Sequence, residues 1–223
     1  MKKSTSSREP KNSHKNKNAA AGDVRIIGGK FKRRVVRFID AEGLRPTPDR
    51  LRETLFNWLL ADIHGAYVLD SCAGSGVLGF EALSRGAAHV TFIEINPAQS
   101  NMLRQSAEQL HLSADTHQII NGTAERVLMQ EQIVPRPFNI VFIDPPYAQD
   151  LWQPILMALV TQSLIDSETL IYLEADKDLA PQLKQLATIF NEKSTIQPTI
   201  DFECLKQTKV GQVVAGLYRL SSS

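Results

Sequence analysis

Residues 138–150 read FNIVFIDPPYAQD. An apolar run, Ile140 to Ile143, ends in Asp144-Pro145-Pro146-Tyr147. Prolines fix φ and lack an N–H, so they stop a strand, and one would be enough for that. A pair of prolines followed by an aromatic makes a rigid platform whose polar groups accept rather than donate. The Asp144 carboxylate and the Pro145 carbonyl can each take one N–H bond. Acceptors fixed in this way orient an amine and stabilise positive charge that develops on it. Tyr147 offers a ring face for stacking. The plain alternative is a strand stop with a surface tyrosine.

A second group of residues could hold a cofactor. In LDSCAGSGVLGFEAL a strand ends at Asp70, a glycine-rich turn follows and a helix begins. Gly74 and Gly76 let backbone approach a ligand, and Gly79 lets the helix pack on the sheet. Glu94 follows Gly74 by 20 residues, at the end of the next strand, and suits a pair of ribose hydroxyls. GSGVLG also matches the dinucleotide spacing, but an acid directly before the turn would repel a pyrophosphate. Asp70 suits a cofactor with a positive centre and an amino-acid ammonium, which is S-adenosylmethionine.

The elements that position these residues alternate. Strands are predicted at YVLDSC, HVTFIEI, HQII, NIVFID and TLIYLEA. Helices are predicted at VLGFEALSRG, from Asn96-Pro97 to about Leu110, at TAERVLMQEQ, LWQPILMALVTQ and PQLKQLATIF. Such alternation implies a parallel sheet covered by helices on both faces. The tail from Thr199 reads as two β runs joined near Gly211, an antiparallel hairpin. Upstream, LRPTPDRLRETLFNWLL predicts a helix with Thr47 as N-cap, Pro48 at N1 and Asp49 favouring the dipole. Leu51, Leu55, Trp58 and Leu59 form its buried stripe. Further upstream, VRIIGGKFKRRVVRF reads as a β-hairpin about Gly28-Gly29. Its Lys30, Lys32, Arg33, Arg34 and Arg37 suit backbone phosphates.

The glycine turn and the Asp70-x-x-x-Gly74-x-Gly76 form resemble the first motif of class I methyltransferases, over about residues 66–175. Asp144-Pro145-Pro146-Tyr147 resembles the fourth motif of the amino-directed members. The resemblance implies direct, in-line methyl transfer to an exocyclic amine on a base, with no covalent enzyme intermediate. The base must be unstacked to enter. Ala73 belongs to the first turn. In Asn121-Gly122-Thr123-Ala124, the superfamily places a contact to adenine; Thr123 is the nearest match, Ala124 the adjoining position and Asn121 the alternative. For Thr123 simple helix capping competes.

In order, RIIGGKFKRRVV, LRPTPDRLRETLFNWL, LDSCAGSGVLGFEALSRGA and VFIDPPY resemble the RsmD family, bacterial small-subunit ribosomal RNA guanine-N2 methyltransferases, over about residues 24–220. RPTPDRLRE is the most specific part. The resemblance implies methylation of one guanine in 16S rRNA during subunit assembly. It also implies that Arg45, Thr47 and Arg50 line the cofactor and target pocket. A Phe often follows the two prolines in this family; Tyr147 keeps the stacking surface.

Bulk properties fit this reading. The chain has 223 residues and a formal net charge of +1. Residues 1–37 carry twelve Lys/Arg against two acids, a net of +10, and the remainder is −9. A basic arm on an acidic body suggests a polyanionic partner. Residues 1–21 are too polar to fold alone. The expected division is a disordered basic tail over 1–22, a basic hairpin extension over 23–43 and a methyltransferase domain over 44–223. Two cysteines, Cys72 and Cys204, far apart and without a CxxC or His cluster, suggest neither disulfide nor metal site. Nothing reads as a membrane span or signal peptide, so a cytoplasmic, monomeric protein is expected. Two rivals share parts of the pattern: a DNA adenine-N6 or cytosine-N4 methyltransferase, and a non-catalytic RNA-binding assembly factor.

Overall fold

The computed structural model describes residues 21–39, 46–130, 137–146, 151–193 and 199–222. Residues 1–20 of the expected disordered tail, Arg45 and Tyr147 lie outside them, whereas Ala21 and Gly22, also expected in the tail, belong to the first strand.

A two-stranded antiparallel hairpin, β1 (Ala21–Arg25) and β2 (Val35–Ile39), leads the chain. Helix α1 (Asp49–Trp58) follows. The body then runs β3 (Tyr67–Asp70), α2 (Val77–Ser84), β4 (His89–Glu94), α3 (Pro97–Gln109), β5 (His117–Asn121), α4 (Ala124–Leu128) and β6 (Ile140–Ile143). It closes with α5 (Trp152–Thr161), β7 (Leu170–Ala175), α6 (Ala180–Lys193), β8 (Ile200–Val210) and β9 (Val213–Ser222). The seven-stranded sheet has the order β5-β4-β3-β6-β7-β9-β8. The five strands from β5 to β7 are parallel, and the β8–β9 hairpin adds two antiparallel members. This is the Rossmann-like sheet expected from the alternation.

Strand residues alternate between two cores, as the two-residue period requires. Val68, Val90, Phe92, Ile140, Phe142 and Tyr172 face the side covered by α1, α2 and α3. Leu69, Ile93, Val141, Ile143, Ile171 and Leu173 face α4, α5 and α6. The parallel strands are buried on both faces and so read as continuous apolar runs. Helix α2 is buried along its whole length. It lies so close to the sheet that a Cβ on Gly79 would come within 2.2 Å of the Phe92 ring.

The leading hairpin shares the first core. Val24, Ile26, Phe31, Val36 and Phe38 pack with α1, α2 and α3. Its strands lie farther apart than the sequence suggested: Ala21 pairs Ile39 and Arg25 pairs Val35, leaving residues 26–34 as a compact turn. That turn is pinned to α2, because the Lys30 and Phe31 N–H groups donate to the Ser84 carbonyl and hydroxyl at 2.7 and 2.8 Å. Among the described residues no helix is long and apolar enough to cross a membrane.

Candidate active site

Successive strands leave β3 in two directions, β4 and β5 on one side and β6 and β7 on the other. The crevice outside the strand ends at such a switch point is where open α/β sheets bind ligands. Asp70 ends β3, Glu94 ends β4 and Asp144 follows β6, so the three predicted acids meet there. Ser71 closes the join between β3 and β6: its N–H and hydroxyl both donate to the Phe142 carbonyl, at 3.1 and 2.8 Å.

The glycine turn is built to be tight. Gly76 sits at φ 72°, where a side chain would be strained, and a Cβ there would meet Leu103 at 2.4 Å. The Asp70 carboxylate reaches over the turn and accepts the Gly79 N–H at 3.0 Å, satisfying a donor in the first turn of α2. Glu94 Oε2 accepts the Gly74 N–H at 2.8 Å and Oε1 the Asn96 N–H at 2.7 Å. Its carboxylate thus lies across the mouth of the turn. Buried Gln99 donates to the Gly74 carbonyl at 2.7 Å and accepts the Ile39 N–H at 2.8 Å, tying the turn to the leading hairpin.

Burial raises the pKa of all three acids. Asp70 is pushed up to about 7, chiefly by desolvation, with the Gly79 N–H opposing and Asp144 and Glu94 adding repulsion. Asp144 is pushed up to about 6 by desolvation, opposed by the Thr47 hydroxyl. Glu94 is raised by desolvation against its backbone donors. Among the described residues no cation pairs with any of them. Anionic groups held in this way leave room for a ligand that carries positive charge. Cys72 shares the turn, and burial drives its thiol far up, which suits packing rather than nucleophilic attack.

Thr47 departs from its expected capping role. Helix α1 starts at Asp49 with Pro48 at the cap position and no side-chain cap bond. The Thr47 hydroxyl instead donates to Asp144 Oδ2 at 3.1 Å, across 97 residues of sequence. The Thr47 carbonyl accepts from Arg52 Nε at 3.0 Å. Arg52 is fully buried and was not foreseen. Its other nitrogens donate to the Arg25 carbonyl at 2.8 Å and to Asp49 at 2.5 Å, and Nη1 lies 3.6 Å from Glu81 Oε2. Glu81, also buried, accepts the Ile27 N–H and Arg85 Nε, each at 2.8 Å. Thus Arg52 and Glu81 fix the hairpin and Thr47 in one frame. A signal existed: Arg52 shares a helical stripe with Phe56 and Leu59, and Glu81 is the single charged residue of α2.

In the turn between β5 and α4 the Thr123 hydroxyl is buried and has no partner, and it does not cap α4. Asn121 spends its amide N–H groups on the Glu94 and Ile95 carbonyls, at 2.8 and 3.0 Å. Ala124 is buried behind Thr123, and Ala73 is buried beside Gly74. Ile95, 66% exposed directly after Glu94, is a further residue that sequence reasoning passed over. Its apolar surface could cover one face of a planar ring. Pro145 is buried and Pro146 exposed. Lys30, Lys32, Arg33 and Arg34 are exposed on the hairpin, away from the core, although Arg34 donates to the Gln109 carbonyl at the end of α3. Arg50 is exposed on the first turn of α1. Among the described residues no group of His, Cys, Asp and Glu could hold a metal ion.

Sheet order, glycine turn and Asp-Pro-Pro strand end together define the class I methyltransferase fold. The family described as "Conserved hypothetical protein 95" matches residues 24–214, and the chain belongs to it. The protein is 41% identical to the "Ribosomal RNA small subunit methyltransferase D" of Haemophilus influenzae, over 79% of this chain and 91% of that one. It is 42% identical to the Escherichia coli protein of the same name, over 71% and 77%. The resemblance to the RsmD family read from the motifs is thereby shown. A solved "putative methyltransferase" of Escherichia coli matches with a TM-score of 0.70 at 35% identity, covering 89% of this chain and 98% of that one.

Proposed function

We propose that this protein transfers the methyl group of S-adenosylmethionine to the exocyclic N2 of one guanine in the 16S rRNA of the small ribosomal subunit. The observation that carries the reading is Asp144: a carboxylate beside two prolines at the switch point, held by the Thr47 hydroxyl. The curated relatives named for small-subunit rRNA methylation favour RNA over DNA as the substrate.

The residues fit the cofactor. Asp70 and Glu94 would hold its amino-acid ammonium and ribose hydroxyls. Gly74 and Gly76, with Ala73, form the turn against which it would lie. The orphaned Thr123 hydroxyl has a partner to gain from its adenine, with Ala124 behind and Ile95 over the ring. When bound, the sulfonium supplies an electrophilic methyl group. The protein's part is positional and electrostatic. Asp144 and the Pro145 carbonyl accept the two amine N–H groups, so the nitrogen lone pair, otherwise delocalised into the base, is turned toward the methyl group. Positive charge then develops on that nitrogen beside an anionic carboxylate. Asp144 takes the surplus proton and passes it to solvent. Tyr147 and exposed Pro146 give the flipped base a surface to lie on.

The exposed hairpin cations Lys30, Lys32, Arg33 and Arg34, with Arg45 and Arg50, would meet RNA phosphates. Each phosphate contact removed should lower the salt slope of binding by roughly 0.7–0.9. We assign the protein to the cytoplasm as a monomer acting on an assembling subunit.

The test uses labelled S-adenosylmethionine with purified protein. Small subunits lacking the modification, naked 16S rRNA and double-stranded DNA are offered in parallel, then digested. N2-methylguanosine in ribosomal samples alone supports the reading. N6-methyladenine in DNA overturns it, and no label with cofactor binding intact points to a non-catalytic assembly factor.

A further inference from the structure

The leading hairpin touches both halves of the candidate site, by two separate routes. Its ladder runs from the pair Ala21–Ile39 at the open end to the pair Arg25–Val35 next to the turn. The two ends lie roughly 14 Å apart at the usual strand rise. At the open end the Ile39 N–H donates to Gln99 Oε1 at 2.8 Å, and Gln99 Nε2 donates to the Gly74 carbonyl at 2.7 Å. At the other end the Arg25 carbonyl accepts Arg52 Nη1 at 2.8 Å, and Arg52 Nε donates to the Thr47 carbonyl at 3.0 Å. The Thr47 hydroxyl then reaches Asp144 at 3.1 Å. One short hairpin therefore grips the cofactor turn at one end and the amine acceptor at the other. The exposed cations Lys30, Lys32, Arg33 and Arg34 lie in the turn of the same hairpin.

Gln99 is the member of this arrangement with no role so far. It stands in the first turn of α3 and is buried. Its amide orientation is forced, because a backbone N–H can only donate and a carbonyl can only accept. A glutamine supplies both functions from one group; a carboxylate lacks the donor and a thioether lacks a strong version of either. Gly74, at φ 50°, has both of its polar groups held by side chains, the N–H by Glu94 at 2.8 Å and the carbonyl by Gln99. The roots of the two site loops are already fixed by the pairing of β3 with β6. Gln99 acts farther out, on the glycine turn itself. Helix α3 is in turn seated on the hairpin: Leu103, Ala107 and Leu110 share a core with Val36 and Phe38, and Arg34 donates to the Gln109 carbonyl.

We infer that Gln99 is a positioning residue for methyl transfer: it locks the cofactor turn to the hairpin that carries the RNA contacts and, through Arg52 and Thr47, orients Asp144. This rests on the methyl-transfer reading above. In-line transfer needs the donor carbon and the amine in register, and a misplacement of about 1 Å can cost about 10²-fold in rate. Gly74 belongs to the part that holds the donor, Asp144 to the part that holds the amine, and the hairpin cations to the part that holds the RNA. Gln99 joins the first of these to the other two. It touches none of the reacting groups, so its loss should be felt in the rate at saturation more than in the binding of either substrate.

The experiment compares wild type, Gln99→Met and Gln99→Glu on unmethylated small subunits with labelled S-adenosylmethionine, below every melting transition. Gln99→Met removes both bonds. Gln99→Glu keeps an acceptor for the Ile39 N–H, and once ionised it has no donor for Gly74. Near pH 8.5 both should lose about tenfold or more in kcat. The KM for RNA, and the Kd for S-adenosylhomocysteine by calorimetry, should stay within about threefold of wild type. An introduced carboxyl beside Glu94 gains its proton readily and can then donate again, so the Gln99→Glu rate relative to wild type should recover as pH falls toward about 6.5, and the Gln99→Met ratio should not. Hydrogen exchange in the ligand-free protein reads the bridge without turnover: the Ile39 amide should lose protection in Gln99→Met and keep it in Gln99→Glu. A kcat within about twofold of wild type in both variants overturns the assignment and spares the parent reading. A loss that appears only as weaker cofactor binding overturns it too, since Gln99 would then support the turn alone. Wild-type protein that labels no RNA fails at the parent reading and takes this one with it.

Discussion

Two sets of buried charges share one side of the sheet and behave in opposite ways. Arg52, Glu81 and Arg85 form a closed set: two guanidinium groups surround one carboxylate, and backbone groups fill the remaining valences. Asp70, Glu94 and Asp144 form an open set, held by backbone N–H groups and one hydroxyl, with raised pKa values. The closed set answers its own desolvation and holds architecture. The open set leaves that desolvation to be relieved by a cation that arrives with the ligand. Burial of charge alone therefore does not mark a functional site; burial of one sign without the other does.

The largest effect comes from breaking the closed set. Arg52→Met leaves Glu81 buried with less compensation, and it also strips the bonds to Thr47 and Arg25. The expected cost is about 3–5 kcal/mol of unfolding free energy, read by urea denaturation. A loss under about 1 kcal/mol would show that the cluster is not closed in the sense argued here. Arg85, stacked over Phe56 at 4.9 Å and partly exposed, should matter less.

Breaking the open set should cost chemistry instead. In the proposed mechanism Asp144→Ala removes one acceptor for the amine and the charge beside it, so kcat should fall about 10²–10³-fold. Cofactor affinity measured by calorimetry should stay within a few-fold and the melting temperature should not fall. A variant that melts early would place Asp144 with the scaffold and erase the distinction between the two sets.

How far the two sets were legible in sequence follows the same divide. Asp70, Gly74, Gly76, Glu94 and Asp144 stand at strand ends, where a two-residue apolar period breaks at a Gly or Pro, and such signals are local. The alternation of strands and helices and the terminal β8–β9 hairpin were readable for the same reason. The closed set joins residues 29 positions apart, and Thr47 meets Asp144 across 97. No local pattern carries such pairings. Thr47 read as a cap because Thr before Pro-Asp is a good local cap, and the tertiary partner won. Gly28-Gly29 read as a two-residue turn because glycine pairs usually are, whereas docking on Ser84 draws residues 26–34 into a longer one. Ile95 escaped notice because a single exposed apolar residue is ordinary until its neighbour is known to be Glu94.

The open set also sets a pH dependence with a definite sign. Asp70 has a folded pKa of about 7 against an ordinary value of 3.8, and Asp144 about 6. Between the ordinary and the raised values the native state holds protons that the unfolded chain has lost, so stability falls as pH rises. The loss begins near pH 4 and is complete slightly above pH 7. Thermal melts of the ligand-free protein should decline across that window. Asp70→Asn should flatten the decline and raise the melting temperature at pH 8 while weakening cofactor binding about tenfold. S-adenosylmethionine should bind more tightly as pH rises through the same window. S-adenosylhomocysteine, whose sulfur is neutral, should show a shallower dependence. Equal slopes for the two ligands would mean that the acids do not answer the sulfonium.

The smallest effect tests the link that Thr47 makes between the two sets. Arg52 holds the Thr47 carbonyl, and the Thr47 hydroxyl holds Asp144. That hydroxyl opposes the burial that raises the Asp144 pKa. Thr47→Val keeps the shape and removes the donor, so the carboxylate should protonate at higher pH. In the proposed mechanism Asp144 is ionised when it accepts the amine, so activity should be lost as pH falls through its pKa. The acid limb of kcat should therefore move upward. At pH 6 the variant should be about threefold slower than wild type, the size expected of one hydrogen bond, and near pH 8.5 the two should converge. A uniform drop at every pH would instead mean that Thr47 positions the substrate or cofactor and leaves the ionisation of Asp144 alone.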